Sequence, residues 1–99
     1  MSSSKITTIT HTISSANTRQ TTYTVPSGCT FVLYSKQVSG GQVTFYDALG
    51  ATGVLNGERE NLREMYSAGQ TIDCQGPYGA VVTIKGVLIG SDDSIVIPE

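Results

Sequence analysis

The chain has no tryptophan, one histidine, two cysteines and three prolines among its 99 residues. A single histidine, His11, leaves little for acid–base or nucleophilic catalysis, and no G-x-S-x-G turn accompanies it. Gly53-Val54-Leu55-Asn56-Gly57 lacks the Lys and Ser/Thr of a phosphate loop. Asp92 and Asp93 are adjacent on a turn and read as a solvated tip, not as a catalytic pair or a calcium loop. The chain is therefore expected to be no enzyme and to need no cofactor. Cys29 and Cys74 cannot form a four-cysteine zinc site, and neither C-x-x-C nor H-x-x-x-H spacing is present, so no metal is expected. They read as two small buried hydrophobes, with a strand-linking disulfide as the alternative.

Charge is scarce as well. Charged residues make up 14% of the chain, and the formal net charge is −2. Lys5, Arg19, Lys36, Arg59, Arg63 and Lys85 are scattered, so no basic patch exists to displace counterions from phosphates, and nucleic acid is not an expected partner. No apolar run approaches the about 20 residues needed to cross a bilayer as a helix. Met1-Ser2-Ser3-Ser4-Lys5 carries no apolar core of a signal peptide, so synthesis and folding in a cytoplasm, with no membrane partner, are expected.

What the chain does have is β-branched side chains. Val, Ile and Thr together number 30. They lose rotamer freedom in helices and pack well on a pleated surface, so strands are expected throughout. Short alternating runs lie between turn signals. These runs are 18–25, 29–36, 42–48, 71–74, 80–89 and 94–97, with a short charged strand preferred over a helical turn for 58–65. Ser39-Gly40-Gly41 reads as a hairpin turn, 49–57 as a Gly-punctuated loop, and Gly76-Pro77-Tyr78-Gly79 as a turn. Gly86 marks a bulge beyond which Val87 and Ile89 are expected to turn inward. The run 29–36 is apolar on both faces, Cys29, Phe31 and Leu33 against Val32 and Tyr34. Cover from a second subunit is one way to bury both. The total is about seven or eight short strands, the pattern of a single antiparallel β-sandwich, jelly-roll-like.

Residues 5–13 place Ile9, His11 and Ile13 on one face of a strand and Ile6, Thr8, Thr10 and Thr12 on the other. Such a polar face suits an edge or a segment that pairs with a neighbour. Residues 1–17 are accordingly expected to be an N-terminal arm, partly disordered or ordered by a partner, with 18–99 forming the sandwich domain. Ile6, Ile9, His11 and Ile13 are the candidate contacts of that arm. Tyr78, between Pro77 and Gly79, is the best candidate for an exposed aromatic contact.

One layout is familiar. Tyr23-Thr24-Val25-Pro26-Ser27-Gly28 leads into an apolar strand, and Ser39-Gly40-Gly41 leads into Val43-Thr44-Phe45-Tyr46. Ser67-Ala68-Gly69-Gln70-Thr71-Ile72 follows, and Val82-Thr83-Ile84-Lys85-Gly86-Val87-Leu88-Ile89 ends the pattern. Over residues 21–90 this resembles the small β-sandwich proteins of tailed-bacteriophage virions. In those, a V-P-x-G step opens one strand, an A-G-x-x-I step precedes another, and a V-x-I-x-G strand follows near the end. The resemblance implies a structural role on the particle, as a capsid decoration or cement protein or a head–tail, tail or fibre component. It also implies location in the virion, with partners being further copies of the chain, a trimer favoured, and other virion proteins such as the major capsid protein. The alternative is a module binding carbohydrate or a cell surface, for instance at a fibre tip, through exposed tyrosines.

Overall fold

The computed structural model describes residues 5–90, and every regular element in that span is a strand. The strands are β1 (Lys5–Thr12), β2 (Gln20–Thr24), β3 (Cys29–Asp47), β4 (Gly50–Arg59), β5 (Glu64–Tyr66), β6 (Thr71–Gln75) and β7 (Val81–Gly90). They form one antiparallel sheet in the order β1-β7-β3-β6-β2, with β4 and β5 also pairing with β3. The all-β, antiparallel expectation holds, with a single curled sheet of seven strands where two separate sheets were expected. The expected strand 94–97 and the Asp92-Asp93 turn lie outside the described residues, as do residues 1–4.

β3 is the spine, and its shape corrects the expected hairpin at Ser39-Gly40-Gly41. The chain does not reverse there. It runs on as one 19-residue strand with a bend. Before the bend, β3 pairs with β7 from Cys29 to Ser39, and after it with β6 from Thr44 to Tyr46. Gly41 makes the bend possible. Its φ is 143°, and an added Cβ would lie 2.5 Å from Pro77 Cγ in the β6–β7 connection. Two glycines in sequence signal both a tight reversal and a close backbone approach, and the approach won here because Pro77 packs into the concave side of the bend.

The loop expected over 49–57 is instead most of β4, which runs back along both halves of β3, from Asp47↔Gly50 to Lys36↔Arg59. Its glycines weaken the apolar alternation that a sequence reader looks for, while the partner strand supplies the hydrogen bonds. The charged stretch 58–65 is extended at both ends, in β4 and β5, with residues 60–63 between them.

The bulge expected at Gly86 lies across from it. The register steps from Leu33↔Gly86 to Ser35↔Lys85, so Tyr34 in β3 is the extra residue. β7 therefore keeps its alternation: Val82, Ile84 and Gly86 are buried, Leu88 packs against the core, and Val87 and Ile89 face outward, not inward. Gly86 has another purpose. A Cβ there would meet the Phe31 ring at 2.4 Å and the Val32 carbonyl oxygen at 2.6 Å.

The core lies inside the curl. Ile13, Val25, Phe31, Leu33, Val43, Phe45, Ile72, Cys74, Val82 and Ile84 are its largest fully buried members. The two ends of the sheet are clasped by Gln20. Its Oε1 accepts from His11 Nε2 at 3.0 Å and from the Ser14 amide at 3.3 Å, and its Nε2 donates to the Ser15 carbonyl at 2.9 Å. Cys29 and Cys74 are free thiols. Burial raises the pKa of the Cys74 thiol above its ordinary value, only partly offset by the hydrogen bond from Thr22 Oγ1 at 3.2 Å. The strand-linking disulfide is thus not formed.

Candidate functional site

The residues expected to form a contact arm are divided by the sheet. β1 pairs along its whole length with β7 of the same chain, from Lys5↔Leu88 to Thr12↔Val81. Its two faces are as expected: Thr7, Ile9 and His11 are half-buried toward the core, and Thr8, Thr10 and Thr12 are exposed. Ile13 is fully buried, and its amide donates to the Ala80 carbonyl at 2.8 Å. It is a core residue with nothing to offer a partner. Ile9 packs against the core, and His11 is spent on the Gln20 clasp. Ile6 remains, 71% exposed on the outer face.

Ile6 is one end of a row. In register, Ile6 faces Val87, Val87 faces Val32, and Val32 faces Met65. Four strands, β1, β7, β3 and β5, thus present one apolar side chain each on the outer face. Strands stand about 4.8 Å apart, so the row spans about 14 Å. Val87 and Val32 are half-buried between their neighbours, and Met65 is 68% exposed. Ile89, opposite Thr30, extends the same face. Directly opposite side chains on neighbouring strands touch, so these residues act as a single strip. An isolated exposed apolar residue on a soluble domain is ordinary; here four apolar side chains stand side by side in register. The sequence signal for it was the two-sided apolar pattern of 29–36, which places Val32 outside. Met65 was hidden in a charge-rich stretch.

Open strand edges flank this face. β1 pairs with β7 alone and β4 with β3 alone, so each leaves one edge unpaired among the described residues. The β1 edge carries no charge after Lys5, which is the usual guard against edge-to-edge pairing.

A second feature was not legible in the sequence. The bulge at Tyr34 turns Lys36 inward, where it is only 6% exposed. Its Nζ lies 3.2 Å from Glu64 Oε1 and 4.6 Å from the centroid of the Phe45 ring. Glu64 Oε1 also accepts from the Tyr66 hydroxyl at 3.1 Å. Burial, followed by the Glu64 charge and that hydrogen bond, holds the Tyr66 hydroxyl well above its usual pKa. Beside this pair, between β4 and residues 62–64, opens a pocket of about 110 Å³.

Tyr78 is 75% exposed on the β6–β7 connection. Among the described residues, no three His, Cys, Asp or Glu side chains converge as a metal site would require. Comparison with protein families, with curated proteins and with solved structures finds no match.

Proposed function

We propose that the chain is a non-enzymatic structural protein that works by self-association, its outer apolar row joining copies. The finer reading is a decoration or cement protein of a tailed-bacteriophage capsid, resident in the virion, trimeric and in contact with the major capsid protein. The curled sheet is read as the sandwich-like domain of that class. The single observation that supports association is the in-register strip Ile6–Val87–Val32–Met65 on the outer face. The assignment to a virion is supported by the sequence layout of residues 21–90. A protein that cements a lattice acts by mass action. Each added contact between copies or with the lattice stabilises the assembled state, and linked contacts multiply.

The test is the solution mass by light scattering at low micromolar concentration, for the parent chain and for Ile6→Lys with Met65→Lys. The expected outcome is a trimer or larger closed oligomer for the parent and a monomer for the variant. Equal masses overturn the assembly reading.

A second reading, a module that binds carbohydrate or a cell surface, is favoured by one observation. Tyr78 stands on a turn whose neighbour Pro77 is packed against Gly41, so the aromatic ring is displayed from a braced loop. A glycan-array signal that Tyr78→Ala abolishes selects this reading, and binding to no sugar rejects it.

A further inference from the structure

β1 leaves one edge open among the described residues, and its ladder fixes which backbone groups that edge presents. Along an antiparallel pair, one residue turns its N–H and C=O to the neighbouring strand and the next turns them away. Ile13, just past β1, donates its amide to the Ala80 carbonyl at 2.8 Å and accepts from the Gly79 amide at 2.9 Å, so both its groups point toward the β7 side. The β1–β7 register runs unbroken from Lys5↔Leu88 to Thr12↔Val81. His11, Ile9 and Thr7 therefore also turn toward β7. Ile6, Thr8, Thr10 and Thr12 turn outward, and their side chains stand on the outer face.

Nothing on this edge discourages an added strand. Edges are commonly guarded by a charge, a proline or a bulge. Residues 6–12 carry no Asp, Glu, Lys, Arg or Pro, and the register has no shift. The edge of β4 differs. It contains Gly50, Gly53 and Gly57, ends in Glu58-Arg59 and is broken by register shifts. The Gln20 clasp at His11 and Ser14 brings β2 against the end of β1, so the open stretch is 6–10. That stretch is Ile-Thr-Thr-Ile-Thr, β-branched at every position. Its outward residues, Ile6, Thr8 and Thr10, are symmetric about Thr8. An antiparallel copy of the same stretch therefore aligns all of their backbone groups at once, and it brings no charge to an uncharged edge.

We propose that β1 pairs antiparallel with β1 of a second copy across a two-fold axis at Thr8, which continues the sheet from one copy into the other. Thr8 faces Thr8 of the second copy, and Ile6 faces its Thr10, giving about six backbone hydrogen bonds. Threonines opposite one another on the outer face add side-chain contact. This contact rests on the self-association reading and is separate from the outer apolar row. The edge joins two copies, and the row remains free to join others, so an assembly using both is larger than the trimer that the row alone gives. Ile6→Lys puts a charge on the edge as well as on the row, so the variant with Ile6→Lys and Met65→Lys loses both contacts.

The test is residue-resolved amide hydrogen exchange on the full chain, below and above the association midpoint found by light scattering. In the monomer, Thr7, Ile9 and His11 are expected to exchange slowly, and Thr8 and Thr10 fast. On association, Thr8 and Thr10 are expected to slow at least about tenfold, in the parent and also in Met65→Lys, whose edge is intact. In Thr8→Pro the lost N–H is one that bonds nothing within its own copy. Circular dichroism is therefore expected to be unchanged, while Thr10 exchanges fast at every concentration. Association of the parent without slowing at Thr8 and Thr10, slowing that disappears in Met65→Lys, or slowing of Thr10 that survives in Thr8→Pro overturns the proposal and leaves the outer row standing. A parent that stays monomeric overturns the proposal and the self-association reading together. Should Thr8→Pro fail to fold, exchange in the parent and in Met65→Lys decides alone.

Discussion

The two halves of the curled sheet share a core but differ in how they finish their outer faces. Around the second half of β3, the outer side chains close on one another. Arg19 Nε donates to Asp73 Oδ2 at 2.8 Å, its guanidinium stacks 4.5 Å from the Tyr46 ring centroid, and the Tyr46 hydroxyl donates to Gln75 at 3.0 Å. Around the first half, Ile6, Val87, Val32 and Met65 lie in register with nothing above them in the described chain. A polar outer face satisfied by its own groups gains nothing from a partner, because any contact must first undo bonds already made. An apolar one gains by every contact that removes it from water. On the proposed self-association, this difference places the contact between copies on the first half.

The largest expected effect tests the scaffold beneath the open face. Gly86→Ala would place a methyl 2.4 Å from the Phe31 ring and 2.6 Å from the Val32 carbonyl oxygen, and the carbonyl cannot step aside without moving β3. The φ of Gly86 is not the constraint, so the cost is steric. A loss of about 3 kcal/mol is expected in chemical denaturation. A loss under about 0.5 kcal/mol would show that the inner packing of this half is loose. The next effect is on the sealed face. Arg19→Ala leaves the Asp73 carboxylate without its 2.8 Å partner, and Asp73 Oδ1 is already buried with none. Arg19 is partly exposed, so water screens the pair, and the loss falls below that of a fully buried one: about 2 kcal/mol. The association constant should not move. If it does, the two halves are not separable in function.

How far the sequence foretold this division depends on the element. The all-β class, the inward faces of 71–74 and 80–84 and the two faces of β1 were legible, because period-2 alternation survives wherever a strand has one buried side. Ser39-Gly40-Gly41 misled because a glycine pair encodes backbone freedom without saying whether it is used to reverse the chain or to admit Pro77. β4 was missed because most of its residues are exposed, so no buried alternation marks it, and its hydrogen bonds come from the β3 ladder. The inward turn of Lys36 was invisible, because it depends on one extra residue, Tyr34, whose place in the ladder only the partner strand fixes. The open row was half legible: Val32 was flagged by the apolar second face of its strand. The ends of the row, Ile6 and Met65, lie 26 and 33 residues from Val32 along the chain, and only the register brings them into one line.

A smaller effect probes the inner packing of the first half, where Tyr66 lies opposite Phe31. Its folded-state pKa is raised by burial, then by Glu64, so the neutral hydroxyl is the form the fold requires. In the unfolded chain the group titrates near pH ~10. Its contribution is therefore complete below that pH and is lost as the pH rises from there toward the folded-state value. By pH ~11 the loss should reach about 1 kcal/mol. Tyr66→Phe should lower stability at pH 7 by about 1 kcal/mol through the lost bond to Glu64, and should flatten the alkaline decline. Tyr23 and Cys74, also raised by burial, keep a residual slope of the same sign. An unchanged slope in the variant would mean that Tyr66 is reached by water.

The smallest expected change in folding is the sharpest test of the comparison. Ile6→Lys with Met65→Lys places two charges at the exposed ends of the row, where each side chain already stands mostly in water. Neither is part of the buried core, and a flexible lysine can direct its ammonium outward while its methylenes lie along Val87 and Val32. Surface substitutions of this kind usually shift stability by less than about 0.5 kcal/mol. Denaturation of the monomer, read at a concentration below the association midpoint, should thus be nearly unchanged although self-association is lost. Arg19→Ala predicts the reverse, with stability lost and association kept. If the double lysine variant instead unfolds the domain, the row belongs to the fold rather than to a partner. The outer face of the first half would then be as structural as that of the second.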